Sequence, residues 1–73
     1  MRLKAGSRAR IKSLDYTHSS CKKLLDMGIT PGSVISVQKI APFGDPYILT
    51  VRNYQLAVRR KDLAAAEIDI IKN

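Results

Sequence analysis

Tryptophan is absent from this chain of 73 residues, and cysteine, histidine and phenylalanine occur once each. With Cys21 as the only thiol, no internal disulfide can form. With His18 as the only imidazole, no Cys/His set can complete a four-ligand zinc site. No stretch approaches the roughly 18 consecutive apolar residues of a membrane span. The opening Met1-Arg2-Leu3-Lys4-Ala5-Gly6 is basic, but no apolar run follows it, so no signal peptide is expected. A lone thiol without an export signal suits a reducing cytoplasm. Catalytic inventory is missing too. One histidine, one thiol and no carboxylate pair at a recognisable spacing make no acid–base or nucleophilic set, so an enzyme is not expected. There is no G-x-x-x-x-G-K-[ST] phosphate loop, and Gly32 and Gly44 read as turn residues. No cofactor is implied.

What the chain has in excess is positive charge: 13 Lys and Arg against 6 Asp and Glu, a net +7. That balance favours an acidic partner, whether nucleic acid, an anionic membrane surface or an acidic protein face. The length has room for one domain, residues 1–73, and without disulfide or metal its core must come from Ile, Leu and Val.

The pattern along the chain is mostly β. Ala9 to Leu14 alternates, with Ala9 and Ile11 on one face and Arg10 and Lys12 on the other, as in a half-buried strand. Cys21, Leu24 and Leu25 fall at helical spacing in a short helix that Ser19 or Ser20 can cap. Gly28 suits the left-handed residue that ends a helix, with Ile29 folding back on the last turn. Thr30-Pro31-Gly32-Ser33 reads as a type II turn. Strands follow at Val34 to Ile40, Tyr47 to Arg52, Tyr54 to Arg59 and Glu67 to Ile71. The Pro42–Pro46 loop and a connecting turn at Arg60 to Ala66 punctuate them. About five short strands with one helix between the first and second suggest a small barrel, because closure removes exposed edges. The expected core is Ile11, Leu24, Leu25, Ile35, Val37, Leu49, Val51, Leu56, Val58, Ile68 and Ile70.

Three stretches, in this order and spacing, resemble one family: Cys21 to Gly32 (CKKLLDMGITPG), Ala41 to Pro46 (APFGDP) and Leu56 to Ala64 (LAVRRKDLA). Each is weak alone. Together they make the chain, from about Gly6 to Ile71, similar to ferrous iron transport protein A, the small cytosolic component of bacterial ferrous iron uptake. The resemblance implies an SH3-like barrel with a helix inserted after the first strand. It also implies a partner, the inner-membrane ferrous iron transporter with its cytosolic GTP-binding domain. The chain would then be a non-catalytic accessory protein, cytoplasmic and peripheral to the inner membrane through that partner. The alternative is a small SH3-like nucleic-acid-binding protein. Charge supports it, but Tyr16, Phe43, Tyr47 and Tyr54 form no basic-aromatic recognition motif, so nucleic acid is not the expected partner.

Physical reasoning, rather than the resemblance, nominates the contact residues. Lys22, Lys23, Arg59 and Arg60 are candidates for steering the encounter. Met27 and Phe43 are candidates for the apolar anchor. Phe43 has a second reading as a plug that folds under into the core. Arg59 or Arg60 is also the candidate for an arginine finger on a partner's GTP, against the simpler reading of surface charge. His18 and Cys21, three residues apart, are weak candidates for Fe(II) or Zn(II) ligands, with Asp15 as a conceivable third. Two ligands do not close a site, so no metal is assigned.

Overall fold

The computed structural model describes residues 3–71; Met1 and Arg2, where the reading against a signal peptide begins, lie outside them. Five strands form one antiparallel sheet: β1 (Arg8–Leu14), β2 (Val34–Ile40), β3 (Tyr47–Val51), β4 (Tyr54–Val58) and β5 (Ala66–Ile71). Their order across the sheet is β4-β3-β2-β1-β5. Helix α1 (Cys21–Asp26) lies between β1 and β2, and a single turn, α2 (Arg60–Leu63), joins β4 to β5. This is the mostly β, SH3-like arrangement with its inserted helix. No helix among the described residues is long and apolar enough to cross a membrane. Bulges between Ile11 and Ser13 and between Val37 and Lys39 shift the register. An extra residue of this kind bends a strand and increases its twist, which helps a short sheet roll over its own core.

Local chemistry explains most element boundaries. In β1 the inward Ala9 and Ile11 are fully buried, while Arg8, Arg10 and Lys12 face outward. Gly28 takes φ +85 just beyond α1. Its amide bonds to Leu25 O at 3.0 Å and the Ile29 amide to Leu24 O at 2.9 Å, the paired closing bonds of a Schellman end. The two-residue turn between β3 and β4 places Arg52 at φ +56, a region usually left to glycine or asparagine.

The core is Ala9, Ile11, Leu14, Cys21, Leu24, Ile29, Ile35, Val37, Tyr47, Leu49, Val51, Val58, Leu63 and Ala65, joined by Leu3 from the segment ahead of β1. Leu56 and Ile68, expected inside, are only partly buried against it. Two expectations are corrected. Leu25 is 37% exposed and Ile70 is 42% exposed. Helix α1 presents one narrow face to the sheet. Cys21 and Leu24 occupy that face, and Ile29 folds back to fill the space beside them. Ile70 lies opposite Ala9 on the edge strand β5, so one of its flanks has no neighbouring strand.

Candidate partner-docking surface

The charged residues between the strands are held by two aspartates that composition alone did not single out. Asp62, in α2, is buried. Its Oδ1 accepts the Ser20 hydroxyl at 2.5 Å, and Lys23 Nζ lies 3.1 Å from Oδ2. Oδ2 makes no other polar contact among the described residues, so the Lys23 ammonium is what balances that oxygen's burial. The Ser20 hydrogen bond, aided by Lys23, holds the Asp62 carboxyl below its ordinary value of 3.8 against the opposing effect of burial. The expected helix cap is corrected here. Ser20 is at the N-cap position of α1, but its side chain makes no cap bond. The hydroxyl is spent on Asp62 instead.

Asp45 performs the second tie. One carboxylate oxygen accepts the Arg60 backbone amide at 2.8 Å. The other lies 3.4 Å from the Arg59 guanidinium. The Pro42–Pro46 loop is thereby fastened to the junction of β4 and α2. Phe43, on this loop, is 97% exposed, so it is not a core plug. A β-carbon added at Gly44 would sit 3.6 Å from Arg60 Nη1, which places the Arg60 guanidinium beside the loop next to Phe43.

Met27 ends α1 and is half-buried against the core. Its carbonyl accepts the Tyr54 hydroxyl, which joins the end of α1 to the start of β4. A β-carbon at Gly28 would come within 2.5 Å of the same hydroxyl, so a residue without a side chain is required there. The six nominated residues thus bracket β4. Phe43, Arg59 and Arg60 stand at its far end, and Met27 at its start. Lys22 and Lys23 are on α1, which Lys23 links to α2 through Asp62.

The four nominated cations are not equivalent. Lys23 is committed to a buried carboxylate. Arg59 is engaged by Asp45. Among the described residues Lys22 makes only a long i,i+4 contact of 3.8 Å to Asp26, with both side chains largely in water. Such a pair is worth about 0.5 kcal/mol or less. The Arg60 guanidinium has no acidic partner among the described residues. Lys22 and Arg60 therefore keep the freest charge.

His18 and Cys21 do not present themselves as a pair. His18 Nδ1 accepts the Ser20 amide at 3.0 Å, and the Cys21 thiol is buried in the core. Asp15 accepts the amide and hydroxyl of Thr17. No cluster of three or more potential metal ligands occurs among the described residues. The signal that could have found Asp45 and Asp62 was numerical. With 6 acids among 13 cations, an aspartate beside a turn or within Arg59–Leu63 had cations in reach.

Taken together, the rolled five-stranded sheet, the inserted helix and the basic surface around β4 define a small SH3-like domain. The FeoA domain family matches residues 1–69, and this chain belongs to that family. A Fe(2+) transport protein A/Fe(2+) transporter FeoB fusion protein from Porphyromonas gingivalis is 31% identical over 71 residues. The match takes in 97% of this chain but only 8% of the fusion protein. A FeoA-like protein from Clostridium acetobutylicum, solved by NMR, superposes with a TM-score of 0.93 at 25% identity, covering 99% of this chain and 84% of that one. The crystal structure of Stenotrophomonas maltophilia FeoA complexed with zinc, described as a prokaryotic SH3 domain protein, superposes with a TM-score of 0.76. At 18% identity, over 93% of this chain and 85% of that one, it speaks for the fold alone.

Proposed function

We propose that this chain is a non-catalytic accessory protein of ferrous iron uptake that docks on the cytosolic, GTP-binding part of the membrane ferrous iron transporter and modulates transport. It would act in the cytoplasm, held at the inner membrane by that partner. The observation that carries the reading is Phe43, a large apolar side chain held almost wholly in water on a loop that Asp45 fastens beside Arg59 and Arg60. An exposed aromatic on a fixed loop, flanked by cations, has the composition of an interface anchor. The fusion of the two components in Porphyromonas gingivalis supports the same partner. Charge brings the partners together, and burial of Phe43, with Met27 as a second apolar contact at the other end of β4, retains them.

The test is binding to the transporter in nanodiscs, with and without a GTP analogue. Wild-type chain should bind. Phe43→Ala should dissociate faster, by about 5- to 150-fold for an anchor worth about 1–3 kcal/mol. Unchanged dissociation would remove Phe43 from the interface. A wild-type chain that ignores the transporter and binds RNA with a steep salt dependence would overturn the reading.

A further inference from the structure

The sheet has two edges, β4 and β5, and they are protected differently. On β5, Glu67 is paired with Lys12 at 3.5 Å, Asp69 stands opposite Arg10, and a bulge interrupts the ladder beside it. Charges and bulges of this kind blunt an edge against further pairing. β4 carries neither. From Tyr54 to Val58 it has no proline, no charged residue and no bulge, and its register with β3 is unbroken.

That register also shows where the free hydrogen-bonding groups are. The two-residue turn makes Val51 and Tyr54 the closing pair, so Tyr54, Leu56 and Val58 exchange their bonds with β3. The amides and carbonyls of Gln55 and Ala57 therefore point away from the sheet, and neither residue has a further backbone partner among the described residues. Leu56 lies on the inner face of the same strand and is only half-buried. The edge thus offers two donors, two acceptors and an incompletely covered leucine.

We infer that β4 is a strand-addition site: an extended segment of the docking partner, apolar opposite Leu56 and acidic toward its ends, pairs with the edge at Gln55 and Ala57. This rests on the docking reading above and names the contact within it. Main-chain bonds would supply affinity, and contact with the half-buried Leu56 together with the flanking charge would supply selectivity. The acidic requirement comes from position. Arg52 precedes the strand, and Arg59, Arg60 and Lys61 follow it. Of the acids at that end, Asp45 is already occupied by Arg59 and the Arg60 amide, and Asp62 is buried against Ser20 and Lys23. The same charges disfavour a second copy. Antiparallel pairing of two β4 edges would set Arg52 of one beside Arg59 and Arg60 of the other, and like charges across a strand pair are destabilising. The β5 edge of another copy is acidic, but Glu67 and Asp69 already face Lys12 and Arg10.

The experiment combines amide hydrogen exchange with one substitution. The wild-type chain, bound to the transporter in nanodiscs, should gain protection at the Gln55 and Ala57 amides. Ala57→Pro removes one outward amide at an edge position that tolerates proline, and should weaken binding about tenfold, the scale of one lost hydrogen bond. Ala57→Ser keeps the amide and should bind as wild type. A complex that forms while both amides exchange as in the free chain overturns the strand-addition site and leaves the docking reading intact. Exchange on the wild-type chain decides this even where Ala57→Pro does not fold. Absence of any complex overturns the docking reading, and this inference with it. Protection of the same amides in the chain alone, rising with its concentration, would make the occupant a second copy and overturn the acidic-partner assignment.

Discussion

The Ser20 hydroxyl donates to Oδ1 of Asp62 at 2.5 Å across 42 residues of sequence. This bond joins the start of α1 to α2, and so holds the inserted helix against the basic end of β4. A hydrogen bond to a charged group contributes about 1.5–3 kcal/mol, and its loss leaves a buried oxygen without a partner.

Ser20→Ala should therefore destabilise the chain by about 1.5–3 kcal/mol, well beyond the loss of an ordinary helix cap in its mildest form. A double-mutant cycle with Asp62→Ala should return a coupling of the same size, since each substitution removes the same contact. Denaturant unfolding measures it. Additive effects would show that the bond contributes nothing to holding α1.

The acid limb of stability should follow the same carboxylate. The folded-state pKa of Asp62 is lowered, so its contribution is fully present above about pH 4, the unfolded value, and is lost as pH falls through the folded value. The melting temperature should fall below about pH 4 in the wild type, and less steeply in Asp62→Asn, which cannot titrate. Asp15, lowered by its Thr17 hydrogen bonds, acts in the same window, so only the difference between the two chains reports Asp62. Identical pH profiles for the two would remove Asp62 from the acid transition.

Neighbouring leucines on α1 should behave differently. Leu24 is fully buried, and Leu24→Ala should cost about 2–5 kcal/mol. Leu25 is 37% exposed, and Leu25→Ala should cost roughly 1 kcal/mol, in proportion to the smaller area withdrawn from water. Equal costs would mean that the helix is rotated from the orientation described.

Association with the transporter should separate the four cations. Charge acts on encounter where it is not already neutralised. Arg60→Glu should slow association more than Lys23→Ala, and should flatten its dependence on salt. Lys23→Ala should appear mainly in stability, through the carboxylate of Asp62 left buried without its counter-ion. Surface kinetics at two ionic strengths test this. A larger effect on association from Lys23→Ala than from Arg60→Glu would reverse the assignment.

Much of the fold was legible because its signals are local. Alternation at Ala9 to Leu14, the helix stop at Gly28 and the turn at Gly32 depend on residues within a few positions of one another, and all three are found where expected. The resemblance carried the architecture of the whole barrel. The docking surface was legible only as a set of residue types. Nothing local distinguishes Lys23 from Lys22, or Arg59 from Arg60. Their difference comes from Asp62 and Asp45, which are far from one or more of their partners in sequence.

Periodicity and turn chemistry thus determined which segments become strands and helix, since backbone conformation is set by near neighbours. Burial and pairing were decided at long range. Leu25 and Ile70 share the apolar character of their buried neighbours, yet α1 has one packed face and β5 has one open flank. Ser20 could cap its helix or bond Asp62, and the approach of α2 settles the choice. The free edge at Gln55 and Ala57 has the same origin: a strand's sequence does not state how many neighbours it will have, because that number is a property of the assembled sheet.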